Sequence, residues 1–263
     1  MLPKLISYGD FFLPTYGVLV ALGFLAALQL ITRLAKERGM NGELLTNLAV
    51  YCALAGLAGA KIFMIAFDWP IYAANPKELF SVSTLQAAGV FQGGLLLAMA
   101  VAWWYVKRHK LSFLAVADLF APALALGHAI GRLGCFAAGC CWGDHCERPW
   151  AVTFRNPEAE RLTGVPLGVP LHPTQLYESA AEFLLCGFLL WWWRRKQGPP
   201  GQVFSLYLLI YSVVRFTIEF FRFHAQGLPF GMQFSLTQWI AMGTFLMGAA
   251  MFARRGPAPA PAQ

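Results

Sequence analysis

The chain has 263 residues, of which 58% are hydrophobic and 13% are charged, and its formal net charge is +7. A soluble domain is about 45–50% apolar and about 25% charged, so this composition excludes an ordinary soluble protein and indicates one embedded in a membrane. The positive charges lie in clusters beside apolar runs, which favours contact with membrane lipids and gives no support for nucleic-acid binding.

Seven apolar segments have the length of about 17–25 residues that crosses a hydrocarbon core of about 30 Å. The first lacks the basic start and the cleavage pattern of a removable signal, so we expect it to be retained. In chain order the predicted spans are 16–32, 44–67, 90–106, 113–136, 175–193, 203–221 and 236–253. The sequence therefore predicts an all-α polytopic membrane protein with seven transmembrane helices.

The basic clusters predict how these helices are oriented. They follow the first, third, fifth and seventh segments, at 33–38, 107–110, 194–196 and 254–255. The positive-inside rule places all four clusters in the cytoplasm, so the N-terminus is predicted to be outside and the C-terminus inside.

The domain organisation follows from the same pattern. We expect residues 1–255 to form a single membrane domain, with 68–88 as a short external loop. The longer external connection, about 137–174, is rich in Gly and Pro and is predicted to form a small extracytoplasmic head. The tail 256–263 alternates Pro and Ala, so we expect a disordered cytoplasmic segment.

Charged residues inside the apolar segments predict a binding layer. At about 1.5 Å per residue, Lys61, Arg132 and Arg215 all reach the outer half of the membrane. Arg215, Glu219 and Arg222 are spaced four and three apart and share a helix face. We therefore expect a strongly cationic layer that binds an anion; the alternative is a structural ion pair with arginines that extend to the interface.

Four further residues have simpler interpretations. Asp118 is expected to be an interfacial cap, and His128, one turn before Arg132, is expected to be a packing histidine. Gly56 and Gly59 are expected to let two helices approach closely.

The cysteines Cys135, Cys140, Cys141 and Cys146 lie within twelve residues on the predicted outer side. An oxidising compartment allows one or two structural disulfides, which would run to Cys135 or Cys146; free thiols and a redox relay are the alternatives. The spacing C-x4-C-C-x4-C does not match that of common structural zinc sites, so no metal is predicted.

Several blocks of the sequence resemble the prolipoprotein diacylglyceryl transferase family of bacterial inner membranes. The most specific are GRLG at 131–134, HPTQLYE at 172–178 and RFTIEFFR at 215–222. Weaker matches lie at 15–17, 59–61 and 91–94, so the resemblance covers nearly the whole chain.

The resemblance implies a fold, a reaction and two substrates. Members of the family have seven transmembrane helices with an outside N-terminus. They transfer the diacylglyceryl group of phosphatidylglycerol to the thiol of the lipobox cysteine in a prolipoprotein signal peptide, and they release glycerol phosphate. The implied partners are therefore phosphatidylglycerol, the prolipoprotein and membrane lipids, with no cofactor, in the bacterial inner membrane.

The resemblance also implies the site residues. Arg132 and Arg215 are expected to hold the phosphate and stabilise the departing glycerol phosphate, with Glu219 orienting the arginines. The remaining substrate-binding residues implied are Tyr16, Lys61, Gln92, Gly93, Gly94, His172, Gln175, Tyr177 and Arg222.

Three positions depart from the family pattern. Gln92 stands where the family has a histidine proposed to help deprotonate the thiol, and Lys61 stands where an arginine is usual. Cys135 and Cys140 replace a common asparagine and glutamate. These departures keep two alternatives open: a paralogous phospholipid-dependent transferase with a different acceptor, and a non-enzymatic lipid-binding or transport protein.

Overall fold

The computed structural model describes residues 2–8, 11–81, 84, 89–195, 198–223 and 234–254. The predicted disordered tail 256–263 lies outside these residues, as do Lys196 and Arg255 of the basic clusters. Most of the described chain is helical.

Among the described residues, seven long helices follow the predicted segments to within about five residues, and two short helices lie between them. In chain order the helices are α1 (Thr15–Glu37), α2 (Gly42–Phe67), α3 (Trp69–Ala74), α4 (Phe91–Arg108), α5 (Phe113–Ala138), α6 (Pro157–Thr163), α7 (Thr174–Arg195), α8 (Gln202–Glu219) and α9 (Leu236–Ala253). A short 3-10 helix, Pro76–Phe80, follows α3, so the predicted loop 68–88 is partly helical.

Five of the long helices are long and apolar enough to cross a membrane: α1, α2, α5, α8 and α9. The other two, α4 and α7, are 18 and 22 residues long and more polar. The chain is a helical membrane protein, and the number of helices that span the membrane stays a prediction.

Helix α7 is more polar than its neighbours because one of its faces buries polar side chains. Thr174, Gln175, Glu178, Ser179 and Glu182 are each at most 2% exposed. Their spacing of one, three, one and three residues keeps them on one side of the helix. Burial of two carboxylates requires partners, and the partners of α7 define the candidate site described below.

The described residues fall into two compact units. The larger unit comprises residues 1–30 and 117–263, and the smaller unit comprises Ile31–Val116. Arg132 and Arg215 belong to the larger unit, whereas Lys61 and Gln92 belong to the smaller one. The expected single domain over 1–255 stays a prediction.

In the smaller unit, α2 and α4 pack through glycines. A Cβ at Gly59 would lie 2.4 Å from the carbonyl oxygen of Gly93, and one at Gly94 would lie 2.7 Å from that of Gly56. Only glycine fits at positions 59 and 94, so the packing role predicted for Gly59 is confirmed. Gly56 lies in the same contact, but a Cβ there would be 3.9 Å from the carbonyl oxygen of Gly94, an ordinary distance. Nearby, Lys61 Nζ donates to the carbonyl oxygen of Thr84 at 2.5 Å.

In the part of the larger unit that the structure describes, two small antiparallel sheets accompany the helices. The antiparallel strands β1 (Lys4–Tyr8) and β2 (Phe11–Pro14) precede α1, and the sequence analysis did not predict them. Strands β3 (Val152–Thr153) and β4 (Pro170–Leu171) pair within the predicted head. The head has its own apolar core, formed by Phe154, Ala159, Val165 and Leu171.

A side chain from α5 caps the N-terminus of α8. The Asp118 carboxylate accepts hydrogen bonds from the backbone N–H groups of Gly201, at 2.7 Å, and Phe204, at 2.8 Å. These are donors that the first turn of a helix cannot satisfy internally, and the helix dipole favours a negative charge there. The predicted role of Asp118 as a cap is confirmed.

We expect Asp118→Ala to lower the stability of the folded protein by about 1–2 kcal/mol, because two buried N–H groups lose their acceptor. Thermal unfolding in detergent measures this. Asp118→Asn keeps one acceptor oxygen and should cost less than the alanine variant. An unchanged unfolding temperature for Asp118→Ala would contradict the cap.

Candidate active site

The first element of the site is a buried ion pair between α5 and α7. Arg132 Nη2 lies 2.6 Å from Glu178 Oε2, and the two side chains are 13% and 2% exposed. Arg132 Nη1 also lies 3.8 Å from the sulfur of Cys135. The sequence analysis named a bound anion as the partner of Arg132, whereas the fold itself supplies a carboxylate.

The second element is an ion pair within α8. Arg215 Nη2 lies 2.9 Å from Glu219 Oε2, and both side chains are about one-tenth exposed or less. The other oxygen of Glu219 accepts from Ser235 Oγ at 2.9 Å. The predicted shared face of Arg215 and Glu219 is confirmed.

Arg222 does not share that face, so this part of the prediction was wrong. Helix α8 ends at Glu219, and Arg222 pairs with Gly143 in an isolated antiparallel bridge. The chain leaves the helix because its backbone bonds with the head instead: the N–H of Asp144 donates to the carbonyl oxygen of Phe221 at 2.9 Å.

His128 lies between two buried carboxylates. Its Nε2 is 3.4 Å from Glu178 Oε1, and its Nδ1 is 3.3 Å from Glu182 Oε1. The Glu182 side chain is fully buried, and neither of its oxygens has a hydrogen-bond partner among the described residues. His128 was expected to be a satisfied packing histidine; its ring contacts two carboxylates, and its role stays a prediction.

Tyr211 on α8 packs beside His128, with the two ring centroids 5.7 Å apart. The sequence analysis missed both Tyr211 and Glu182. For Glu182 a signal existed, since it follows Glu178 by four residues and so shares its helix face.

The buried arginines of the site are balanced by carboxylates. Arg132 pairs with Glu178 and Arg215 pairs with Glu219, and Glu182 is a third buried carboxylate. The predicted strongly cationic layer was wrong for this unit, because the estimate omitted the two carboxylates of α7.

Both guanidiniums nevertheless keep a donor that the fold does not use. Arg132 Nε and Arg215 Nη1 are buried and have no hydrogen-bond acceptor among the described residues. Buried donors are rarely left unpaired, so each indicates a place for a ligand oxygen. A phosphate, which only accepts hydrogen bonds from such groups, matches the unused donor of each guanidinium.

The residues of the 172–178 block brace the loop that follows α5. Gln175 Nε2 donates to the carbonyl oxygen of Cys140 at 2.6 Å, and Thr174 Oγ1 donates to that of Cys141 at 2.8 Å. His172 Nδ1 lies 3.1 Å from the hydroxyl of Tyr177. These contacts hold the loop against α7, and the predicted substrate-binding roles remain predictions.

Gly143 is the point where three segments meet. Its N–H donates to the carbonyl oxygen of His172 at 2.9 Å, and it pairs with Arg222 in the bridge described above. A Cβ at this position would lie 2.4 Å from the carbonyl oxygen of Phe221. The close approach explains a glycine here.

All six cysteines lie within the described residues and all are free thiols, so neither of the expected disulfides is present. The sulfurs of Cys135, Cys140 and Cys141 lie within 4.8 Å of one another. Cys146 is buried and does not belong to this group.

The other predicted residues divide between the two units. Tyr16, in the larger unit, packs beside Gly134, where a Cβ would lie 3.2 Å from the tyrosine ring. Lys61, Gln92, Gly93 and Gly94 belong to the smaller unit. Their predicted substrate contacts remain predictions.

Comparison with known proteins identifies the family. The family model described as prolipoprotein diacylglyceryl transferase matches residues 3–254. The phosphatidylglycerol–prolipoprotein diacylglyceryl transferase of Clostridium tetani is 35% identical over 237 residues, which cover 90% of this chain and 91% of that protein. Its counterpart in Nitratidesulfovibrio vulgaris strain DP4 is 33% identical over 93% of this chain and 88% of its own.

A third relative, from Clostridium perfringens, is named phosphatidylglycerol–prolipoprotein diacylglyceryl transferase 2. It is 32% identical over 90% of this chain and 89% of its own length. The chain is therefore a transferase and belongs to the prolipoprotein diacylglyceryl transferase family.

Proposed function

We propose that this transferase moves the diacylglyceryl group of phosphatidylglycerol to the lipobox cysteine of a prolipoprotein and releases glycerol phosphate. The names of its relatives state both substrates for those proteins. The observation that carries the proposal to this chain is the pair of buried guanidiniums, Arg132 and Arg215, each with an unused donor.

The reaction needs a stabilised leaving group. The acceptor sulfur attacks the glyceryl carbon of the lipid, a carbon–sulfur bond forms, and the carbon–oxygen bond to phosphate breaks. Negative charge then accumulates on the departing phosphate. Arg132 Nε and Arg215 Nη1 are donors of the type that stabilises this charge, and their burial strengthens the interaction.

The carboxylates have a positioning role in this proposal. Glu178 and Glu219 each engage one Nη of an arginine, which fixes the plane of the guanidinium and leaves another N–H for the lipid phosphate. Burial of the pairs explains why the lipid does not need to order these side chains when it binds.

We also place the protein in the bacterial inner membrane with seven spanning helices, the N-terminus and the head outside, and the C-terminus in the cytoplasm. The four one-sided basic clusters support this orientation. In this orientation the site is accessible from the outer leaflet, where both the phospholipid and the secreted precursor can bind.

A second candidate is a paralogous transferase with the same lipid donor but another acceptor. The three neighbouring thiols and Gln92 favour it, because they replace groups that are usual in the family. Complementation of a strain depleted of its own enzyme separates the two. Growth supports the lipobox acceptor, and failure at normal membrane abundance supports the paralogue.

We expect Arg132→Ala and Arg215→Ala each to lower the transfer rate by roughly 10²–10³, the effect of deleting one donor to a developing anion. Lys61→Ala should only reduce the rate, because an ammonium offers no fork to a phosphate. Transfer from radiolabelled phosphatidylglycerol to a lipobox peptide, at equal membrane abundance, measures both effects.

Two controls accompany these variants. Arg161→Ala removes an exposed arginine of the head that pairs with Glu158, and its rate should stay near that of the wild type. Arg215→Lys should recover little activity, because the charge returns without the planar fork. A near wild-type rate for Arg215→Lys would refute the phosphate assignment.

We expect Glu178→Gln to slow transfer at least tenfold, about 1.4 kcal/mol of barrier, because Arg132 loses its charged partner and its orientation. The measurement is kcat and KM for the lipid. Glu147→Gln, which neutralises an exposed glutamate, is the control. An unchanged kcat would show that the ion pair does not position Arg132.

We expect a probe at Glu160→Cys to react with a membrane-impermeant thiol reagent added outside the cell. Glu160 is exposed in the head, and the substitution leaves the Lys4–Glu158 ion pair intact. The background lacks the native cysteines, so only the new thiol is labelled. Labelling only after the membrane is opened would reverse the proposed orientation.

A further inference from the structure

The three thiols at the end of α5 form a group that the phosphate assignment does not use. The sulfurs of Cys135, Cys140 and Cys141 lie within 4.8 Å of one another, with Cys135 buried and the other two partly exposed. We infer that these cysteines bind one Zn²⁺ ion and leave one coordination position open for the acceptor thiol. This inference rests on the proposed transfer to a thiol.

The backbone at the end of α5 brings the thiols together. The N–H of Cys140 donates to the carbonyl oxygen of Cys135 at 3.1 Å, and the N–H of Gly139 donates to that of Phe136 at 3.3 Å. With Gly139 at φ +81°, this is a Schellman cap, which folds the chain back over the last turn. The cap therefore places Cys140 beside Cys135, although the two cysteines are not separated by the two residues that are usual in zinc sites.

Cys141 adds a second and independent sign of a built site. Its φ is +60°, in the left-handed region that costs a non-glycine residue about 1–2 kcal/mol. Hydrogen bonds from Thr174 and Gln175 to the carbonyl oxygens of Cys141 and Cys140 hold this conformation. Strained backbone that its surroundings enforce is typical of functional sites.

The distances and the charges suit a soft divalent ion. Zn–S bonds of about 2.3 Å in a tetrahedron place the sulfurs about 3.8 Å apart, so a closure of about 1 Å or less is required. Three thiolates and Zn²⁺ carry a net charge of −1. The guanidinium of Arg132, 3.8 Å from the Cys135 sulfur, offsets this charge.

With three protein ligands, the ion can bind and activate the acceptor thiol. Zinc with four protein ligands is structural, whereas three ligands leave a position for a reactant. A free thiol with a pKa near 8.5 is only a few per cent thiolate at neutral pH, and a thiol that coordinates zinc is fully deprotonated. Coordination therefore raises the thiolate fraction by roughly 30-fold.

The atoms balance without an oxidant or a reductant. The acceptor thiol loses its proton to water as its sulfur coordinates zinc. That sulfur then attacks the glyceryl carbon of phosphatidylglycerol, the carbon–sulfur bond forms, and the carbon–oxygen bond to phosphate breaks. Glycerol phosphate leaves with the bonding electron pair, and the product thioether, a weaker ligand, vacates the position.

The first test measures metal directly. Full-length protein with a tag that binds no metal is purified without chelators, and its zinc is determined by mass spectrometry. The wild type and Cys146→Ser, which alters a buried thiol outside the group, should each hold one zinc ion. The triple variant Cys135→Ser, Cys140→Ser, Cys141→Ser should hold none.

A second measurement on the wild type needs no substitution. Exchange of zinc for Co²⁺ should produce the absorption bands of cobalt bound to thiolates in a tetrahedral site. Zinc-free wild type, or a disulfide between two of the three cysteines in the intact mass, would overturn the inference.

Activity then separates this inference from the proposed function. Removal of zinc should lower transfer to the lipobox peptide roughly 30-fold at neutral pH, with recovery when Zn²⁺ returns. Arg132→Ala should lose transfer and keep its zinc. Full transfer by the zinc-free protein would overturn the zinc inference and leave the proposed function standing. Wild-type protein that holds zinc but never transfers the lipid would refute the proposed function and leave the zinc site standing.

Discussion

The ion pair between Arg132 and Glu178 is the interaction on which the rest of the site depends. A guanidinium buried among apolar helices costs far more than it contributes unless a charged partner meets it, and removal of one partner of such a pair costs about 3–5 kcal/mol. The partner comes from α7, which explains why that helix buries a polar face and is less apolar than its neighbours.

Local signals made much of the fold predictable. The lengths of the apolar segments indicated the seven long helices, and Asp118 was predicted as an interfacial cap from its position near the end of an apolar segment. Gly56 and Gly59 were predicted to let two helices approach closely, because glycine has no side chain. Each of these features depends on short-range chemistry that the sequence displays directly.

The parts that failed depend on contacts between distant segments. The charge of the binding layer was overestimated because Glu178 and Glu182 were not counted in it, and only the folded structure shows Glu178 paired with Arg132 of α5. Arg222 was placed on α8 because its spacing fits a helix, whereas the bridge with Gly143 ends that helix. The sequence placed four cysteines on one side but did not show which of them lie together, because the Schellman cap at Gly139, which brings Cys140 back beside Cys135, depends on the folded backbone.

The separation of Arg132 and Glu178 in the sequence affects how the protein is made. Arg132 is synthesised 46 residues before Glu178. At about 5–20 residues per second, the guanidinium emerges roughly 2–9 s before its partner. During that interval the charge lacks its carboxylate partner, so water or the insertion machinery has to solvate it until α7 is made.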